Sequence, residues 1–193
     1  VGGVPPDGVI ESDANDRATI VTAGDCSFHV IERAGRFGVR IKDAQSATRM
    51  TFTGIDRYPV DPMRRHVGRF TPAAPATERA IALVIGVEQS MDVAGTAHVE
   101  LDGHAAELVL FGAPDDESFV LVFGDATNGA ETYGGGRLLA VPRTGRDAVV
   151  LDFNQAYNPP CSFTPFATCP LPPPSNRLPH AIRAGERRWD GGG

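Results

Sequence analysis

Seven polar side chains crowd into one glycine-rich stretch, GDATNGAETYGGGRLL at 124–139: Asp125, Thr127, Asn128, Glu131, Thr132, Tyr133 and Arg137, set around Gly129 and Gly134 to Gly136. Consecutive glycines let backbone amides line a concavity, and an arginine offers a fixed fork for a carboxylate or phosphate, so the chemistry suggested is the holding of an anion. A plainer reading is a hairpin loop whose glycines take positive φ and whose Arg137 pairs with Glu131 or Asp125. The stretch is neither a phosphate loop nor a dinucleotide fingerprint. It has no Gly-Lys-Ser/Thr ending, and no helix follows it.

A second constellation is LDFNQAYNPPCSF at 151–163. Asp152 and Asn154 stand two apart at the end of a strand and so share a face, and Tyr157, Asn158 and Cys161 follow in a stiff turn. Prolines continue through NPPCSFTPFATCPLPPPSNR, lowering the entropy cost of holding polar groups in one arrangement, as either a preorganised site or a mechanical strap requires. Cys161 and Cys169 admit three readings: buried or paired structural cysteines, a redox or nucleophilic role, or metal ligands. The last lacks C-x-x-C spacing and a nearby histidine before His180, so no metal is expected. Cys26, inside a strand pattern, is expected in the core. None of the five histidines forms an H-x-H or HExxH spacing, and Asp61 before Pro62 reads first as a turn former.

Strands must position these groups. ATIVTA (18–23), SFHVIER (27–33) and RFGVRIKD (36–43) have β-branched and aromatic bias, with Ala34-Gly35 as a hairpin turn between the last two. Residues 44–62, broken by Gly54, Pro59 and Pro62, read as a loop or crossover. HVGRFTP (66–72), RAIALVIGVEQ (79–89), GTAHVELDG (95–103), AELVLFGA (106–113), SFVLVFGD (118–125), RLLAVP (137–142) and AVVLDF (148–153) follow, spaced by turn signals such as Asp102-Gly103. LVIGV and VLVF read as buried on both faces. FNQAYN (153–158) is the best helical turn. The fold expected is mainly β, an antiparallel β-sandwich or barrel with a proline-rich irregular C-terminal strap and little helix. Residues 1–16 read as an irregular segment, 17–189 as a single β domain and 190–193 as a disordered tail.

Composition excludes several partners. The formal charge is −6 with one lysine, Lys42, and no Lys/Arg block, so a phosphate-backbone footprint is missing and no nucleic acid is expected. No apolar run reaches the roughly 20 residues that cross a bilayer, and the start VGGVPPDG has no signal-peptide pattern, so no membrane is expected and the location read is cytoplasmic. Oligomeric state has no signal.

The run from ETYGGGR through LDFNQAYNPPCSFTPFATCPLPPPSNRL to IRAGE, preceded by YPVDP and FHVIERAGRFGVRIKD, resembles the bacterial and archaeal family called domain of unknown function 1684 over about residues 18–188. The resemblance implies a longer N-terminal region in other members. It marks as distinctive Glu131, Thr132, Tyr133, Gly136 and Arg137, then Asp152, Asn154, Asn158, Cys161, Cys169, Asn176 and Arg177. It assigns none of them a catalytic role. Polar motifs in loops are what a ligand site looks like. The favoured expectation is a pocket for a small anionic or carboxylate-bearing molecule between the glycine loop and the strap. Arg137 would be its anchor, and Glu131, Asp152 and Cys161 its catalytic candidates. Its binding candidates are Thr132, Tyr133, Asn154, Asn158, Asn176 and Arg177. Hydrolysis or proton transfer would be the chemistry, with no cofactor; a flavin or haem barrel has only fold analogy behind it. The competing expectation is a non-catalytic structural or interaction module in which the same residues clasp the strap onto the barrel.

Overall fold

Residues 8–15 and 17–191 are described by a computed structural model. Residues 1–7 and 16 of the expected irregular segment, and 192 and 193 of the expected tail, lie outside the described residues. The chain is mainly β, with 45% strand and 10% helix. Residues 17–189, read from the sequence as one domain, carry two separate sheets in two compact units that meet in the chain at Thr53 and Gly54.

The first unit is an antiparallel sheet of β1 (Val21–Ala23), β2 (Cys26–Arg33) and β3 (Arg36–Asp43), followed by one helical turn, α1 (Ala47–Met50). Ala34 (φ 51°) and Gly35 (φ 71°) both adopt the left-handed region, which matches the twist of the strands they join and fixes the register at Arg33↔Arg36. Asp13 holds this sheet from outside. Its carboxylate takes both terminal nitrogens of Arg33 at 2.8 Å and accepts the Glu32 N–H. Alternation along β3 leaves Phe37, Val39 and Ile41 60–72% exposed on one face. Cys26 differs from expectation. It opens β2 beside the Gly24 turn and is exposed, because alternation along β2 buries His29 and Ile31 and puts residue 26 on the opposite face.

The second unit is a nearly closed antiparallel barrel. Its strands are β4 (Arg65–Pro72), β5 (Glu78–Ala82), β6 (Glu88–Leu101), β7 (His104–Phe111), β8 (Ser118–Phe123), β9 (Arg137–Pro142) and β10 (Ala148–Asp152). They lie in the order β10-β4-β6-β7-β8-β9, with β5 on β6. The two ends of that order approach through the turn after β9, where Arg143 bridges Val149 and the Thr144 N–H donates to the Ala148 carbonyl. Inward side chains of alternate residues, among them Phe70, Leu101, Leu108, Leu110, Phe119, Leu121, Leu139 and Leu151, fill the interior and are at most 2% exposed.

RAIALVIGVEQ is not one strand. Gly86 takes φ 78° and turns the chain, so residues 83–87 form the β5–β6 hairpin and Ile85, expected buried, is 49% exposed. Apolar composition concealed a turn. β7 and β8 are thinly joined as well: Phe111↔Val120 is their one ladder pair. Among the described residues no helix is long and apolar enough to cross a membrane.

Candidate functional site

The glycine loop and the proline strap do meet. After β10 the chain makes a short 3-10 turn at Phe153–Gln155, then Tyr157 exchanges both backbone hydrogen bonds with Leu138 at 2.9 Å. The strap passes the β5 end, where Leu171 N–H donates to Ala82 and Val84 N–H to the Cys169 carbonyl. It then crosses the β8 end, where Gly124 N–H donates to Asn176 and Leu178 N–H to Gly124. Gly136, at φ 90°, lets it lie down: a Cβ there would stand 2.5 Å from Pro172 Cγ and 2.6 Å from the Phe123 carbonyl oxygen. That glycine serves a close approach of protein to protein.

Arg137 opens β9 and is completely buried. Its Nη2 donates to Asp125 Oδ2 at 2.8 Å and to the Ile182 carbonyl at 2.8 Å; Nη1 donates to the carbonyls of Ala184 and Glu186. The guanidinium also lies 5.2 Å from the centroid of Phe123. Asp125 is held in turn by the Thr127 N–H, the Thr127 hydroxyl and the Ile182 N–H. The anion that Arg137 grips is thus the protein's own Asp125, and its other terminal N–H groups go to strap backbone, while Nε has no partner among the described residues. Arginine suits the task because its planar donors satisfy several carbonyls at once. Thr132, fully buried, shares its hydroxyl with Thr127 and Asn128; the Asn128 amide also donates to the Tyr133 carbonyl.

The strap's amides are used similarly. Asn154 makes a reciprocal pair with the backbone of Asp61, accepting its N–H at 3.0 Å and donating to its carbonyl at 2.9 Å. Asp152 caps that turn, with Oδ1 accepting the Asn154 N–H and amide, while Oδ2 stands 4.0 Å from Arg65 Nε. Asn158 donates its amide to the Arg187 carbonyl and its N–H to Glu186 Oε2. Asn176, 0% exposed, accepts the Val109 N–H and donates to the carbonyls of Val109 on β7 and Val122 on β8. One side chain thereby bridges the strands where their ladder is sparse. Arg177 is exposed and takes part through its backbone bridge to Gly124.

Glu131 lies at the rim. Arg183 grips it with two nitrogens, Nη2 to Oε1 at 2.7 Å and Nε to Oε2 at 2.9 Å, and the Tyr58 hydroxyl donates at 2.9 Å. Arg183 first and Tyr58 second hold its carboxyl down at about 2. Burial, followed by the neighbouring Glu131, pushes the Tyr58 phenol up.

Expectation placed Arg137 beside Asp152 and Asn154. Instead Glu186 links the two clusters. Its carbonyl accepts from Arg137, its Oε2 from Asn158 and its Oε1 from Arg57, which also donates to the Asn154 carbonyl. The signal for Glu186 was the motif IRAGE, a charged pair around a glycine in the segment read as strap. Gly185 takes φ 74° there, packed under the Ala156 carbonyl.

The described residues form an open cleft of about 190 Å³ lined by Ala76, Thr77, Asp92, Val93, Ala113 and Pro114. No residue of the glycine loop or strap lines it. Among the described residues no group of three His, Cys, Asp or Glu side chains could hold a metal ion.

These features define a nearly closed antiparallel β-barrel with an irregular C-terminal strap fastened across one end by buried polar groups. The chain belongs to the family described as protein of unknown function (DUF1684), whose model matches residues 50–187. It is also similar to a solved structure, the solution NMR structure of the uncharacterized protein from gene locus rrnAC0354 of Haloarcula marismortui. The two share 32% identity over 72% of this chain and 78% of that one, with a TM-score of 0.57. A comparison with curated proteins finds no match.

Proposed function

We propose that this protein is a non-catalytic structural or interaction module, and that its polar motifs clasp the C-terminal strap to the barrel. One observation carries the reading: the Arg137 guanidinium is 0% exposed and both its terminal nitrogens are taken by Asp125 and three strap carbonyls, with Nε alone left without a hydrogen-bond partner among the described residues. Asn154, Asn158 and Asn176 support it, since each donates its amide N–H to backbone, with Asn158 Oδ1 alone left without a partner among the described residues. A small-carboxylate site would require the same groups to be open toward a void.

Melting of two proteins tests the reading. In Arg137→Ala, Asp125 stays buried without its partner, which costs about 3–5 kcal/mol, and the melting temperature falls steeply. Acetate, succinate, citrate and phosphate leave the wild-type melting temperature unmoved. A rise of several degrees with one of these anions in wild type, abolished by Glu131→Gln or Asp152→Asn, would overturn the clasp and restore a ligand site.

A further inference from the structure

The strap carries a pair of cysteines, Cys161 and Cys169. Cys161 lies in the 3-10 turn Pro160–Ser162 and is partly exposed, whereas Cys169 is 7% exposed. Seven residues separate them, yet the Cys161 N–H donates to Cys169 Sγ at 3.2 Å, so the chain doubles back and sets one cysteine's backbone on the other's sulfur. Neither is in a disulfide.

Both ends of this loop are tied down. On the Cys161 side the Ser162 N–H and hydroxyl both donate to the Pro159 carbonyl, and Asn158 is held by Glu186 and Arg187. On the Cys169 side the carbonyl accepts from Val84, and Pro170 bridges Leu83. The segment between the cysteines reaches solvent at Phe166, 85% exposed. Tyr133 reaches Cys161 with its hydroxyl. Its phenol is pushed up to about 12 by burial first, then by its hydrogen bond to Cys161 and the negative charge available at both sulfurs. The glycine loop thus brings a phenol to the strap's two thiols.

We propose that Cys161 and Cys169 form a peroxide-oxidisable dithiol, in which the partly exposed Cys161 meets a hydroperoxide and the buried Cys169 closes the disulfide. The Cys161 sulfur attacks the peroxide, the O–O bond breaks, and Cys161 sulfenic acid forms while the alcohol or water departs with the thiol's proton. The Cys169 sulfur then attacks the sulfenic sulfur; the S–S bond forms, the S–O bond breaks, and hydroxide leaves with the Cys169 proton as water. Two thiols are oxidised and one peroxide is reduced. The order follows from access: Cys161 is the more accessible of the two and meets the peroxide first, and the Cys169 sulfur already sits on the Cys161 backbone N–H. The resulting cross-link closes the loop that starts at the end of the Tyr157–Asn158 tether, so oxidation stiffens the strap without changing the clasp.

The test uses the full chain with the exposed Cys26 replaced by serine, treated with hydrogen peroxide. Thiol titration is expected to show loss of both remaining thiols, with the intact mass lower by two hydrogens and a Cys161–Cys169 cross-linked peptide after digestion. Dithiothreitol restores both thiols. Adding Cys169→Ser stops the reaction at a Cys161 sulfenic acid that dimedone traps. Thiols that stay titratable in excess peroxide, cross-links between chains, or sulfinic acid building up at Cys161 while Cys169 is present would each overturn the proposal. The first readout needs no change at the buried position, so misfolding of the Cys169 variant leaves the test intact.

Discussion

Asn176 does in one side chain what a strand pair does along its length. β7 and β8 share the single ladder pair Phe111↔Val120, and Asn176 enters the gap to satisfy Val109 on both its N–H and its carbonyl and Val122 on its carbonyl. Asn176→Ala strands those three groups in the interior, at a cost of about 3 kcal/mol, which urea denaturation reads as a lower midpoint. Asn176→Asp keeps the acceptor and loses the donors, so it recovers little. Glu131 makes the opposite kind of contribution, at the rim and dependent on pH. Its carboxyl is held at about 2 against an ordinary 4.5, so its stabilisation is complete above 4.5 and disappears as pH falls toward 2. Arg183 is 61% exposed on its side chain, so solvent and salt screen the pair and the effect is modest. Glu131→Gln is expected to lower the melting temperature modestly above pH 4.5, to flatten the acid limb between those pH values, and to converge with wild type toward pH 2. An unaltered acid limb would mean that other carboxylates govern it.

At the level of elements, the sequence made hairpins legible where turn chemistry is local. Ala34-Gly35 and Asp102-Gly103 both take paired positive φ, and period-2 patterns bracket each of them. The β5–β6 turn was hidden because Leu83, Val84, Ile85 and Val87 mimic a buried strand; Gly86 alone marked it. The meeting of glycine loop and strap was legible from polar loops braced by proline. Its bonding was legible only in part: the Arg137–Asp125 pair was one of the two pairings the sequence offered, but the other partners of Arg137 are backbone carbonyls 45 to 49 positions away, which carry no residue identity to read. The three glycines looked like an anion cradle for a related reason: composition gives the freedom of a glycine but not what approaches it. Gly136→Ala separates the two meanings. A side chain at φ 90° costs about 1–3 kcal/mol in backbone strain, and its Cβ also collides with Pro172 Cγ and the Phe123 carbonyl. Lower melting temperature with faster amide exchange across Leu171–Leu178, and little change in β4 or β6, is the outcome that fits a glycine placed for the strap.

For the whole molecule, the division at Thr53 and Gly54 sets what must fold together. Both apolar clusters of the barrel draw every member from residues 70–184, and the strap contributes Leu178, Ile182 and Ala184 to the larger one. The strap is therefore a wall of the core as well as a covering, and cutting it away exposes apolar surface that the strands cannot cover. A fragment beginning at Gly54 and keeping the strap holds its own core and both partners of each clasp bond, including Asp125–Arg137 and Asn154–Asp61. It is expected to give a dispersed amide NMR spectrum and one cooperative melting transition. The same fragment ended before Tyr157 loses Leu138's partner strand, the Asn176 bridge and every acceptor of Arg137 except Asp125, and is expected to aggregate or remain unfolded. If the shortened fragment instead melts like the longer one, the strap is ornament to a self-sufficient barrel, and the buried charge of Arg137 has no structural reason to be there.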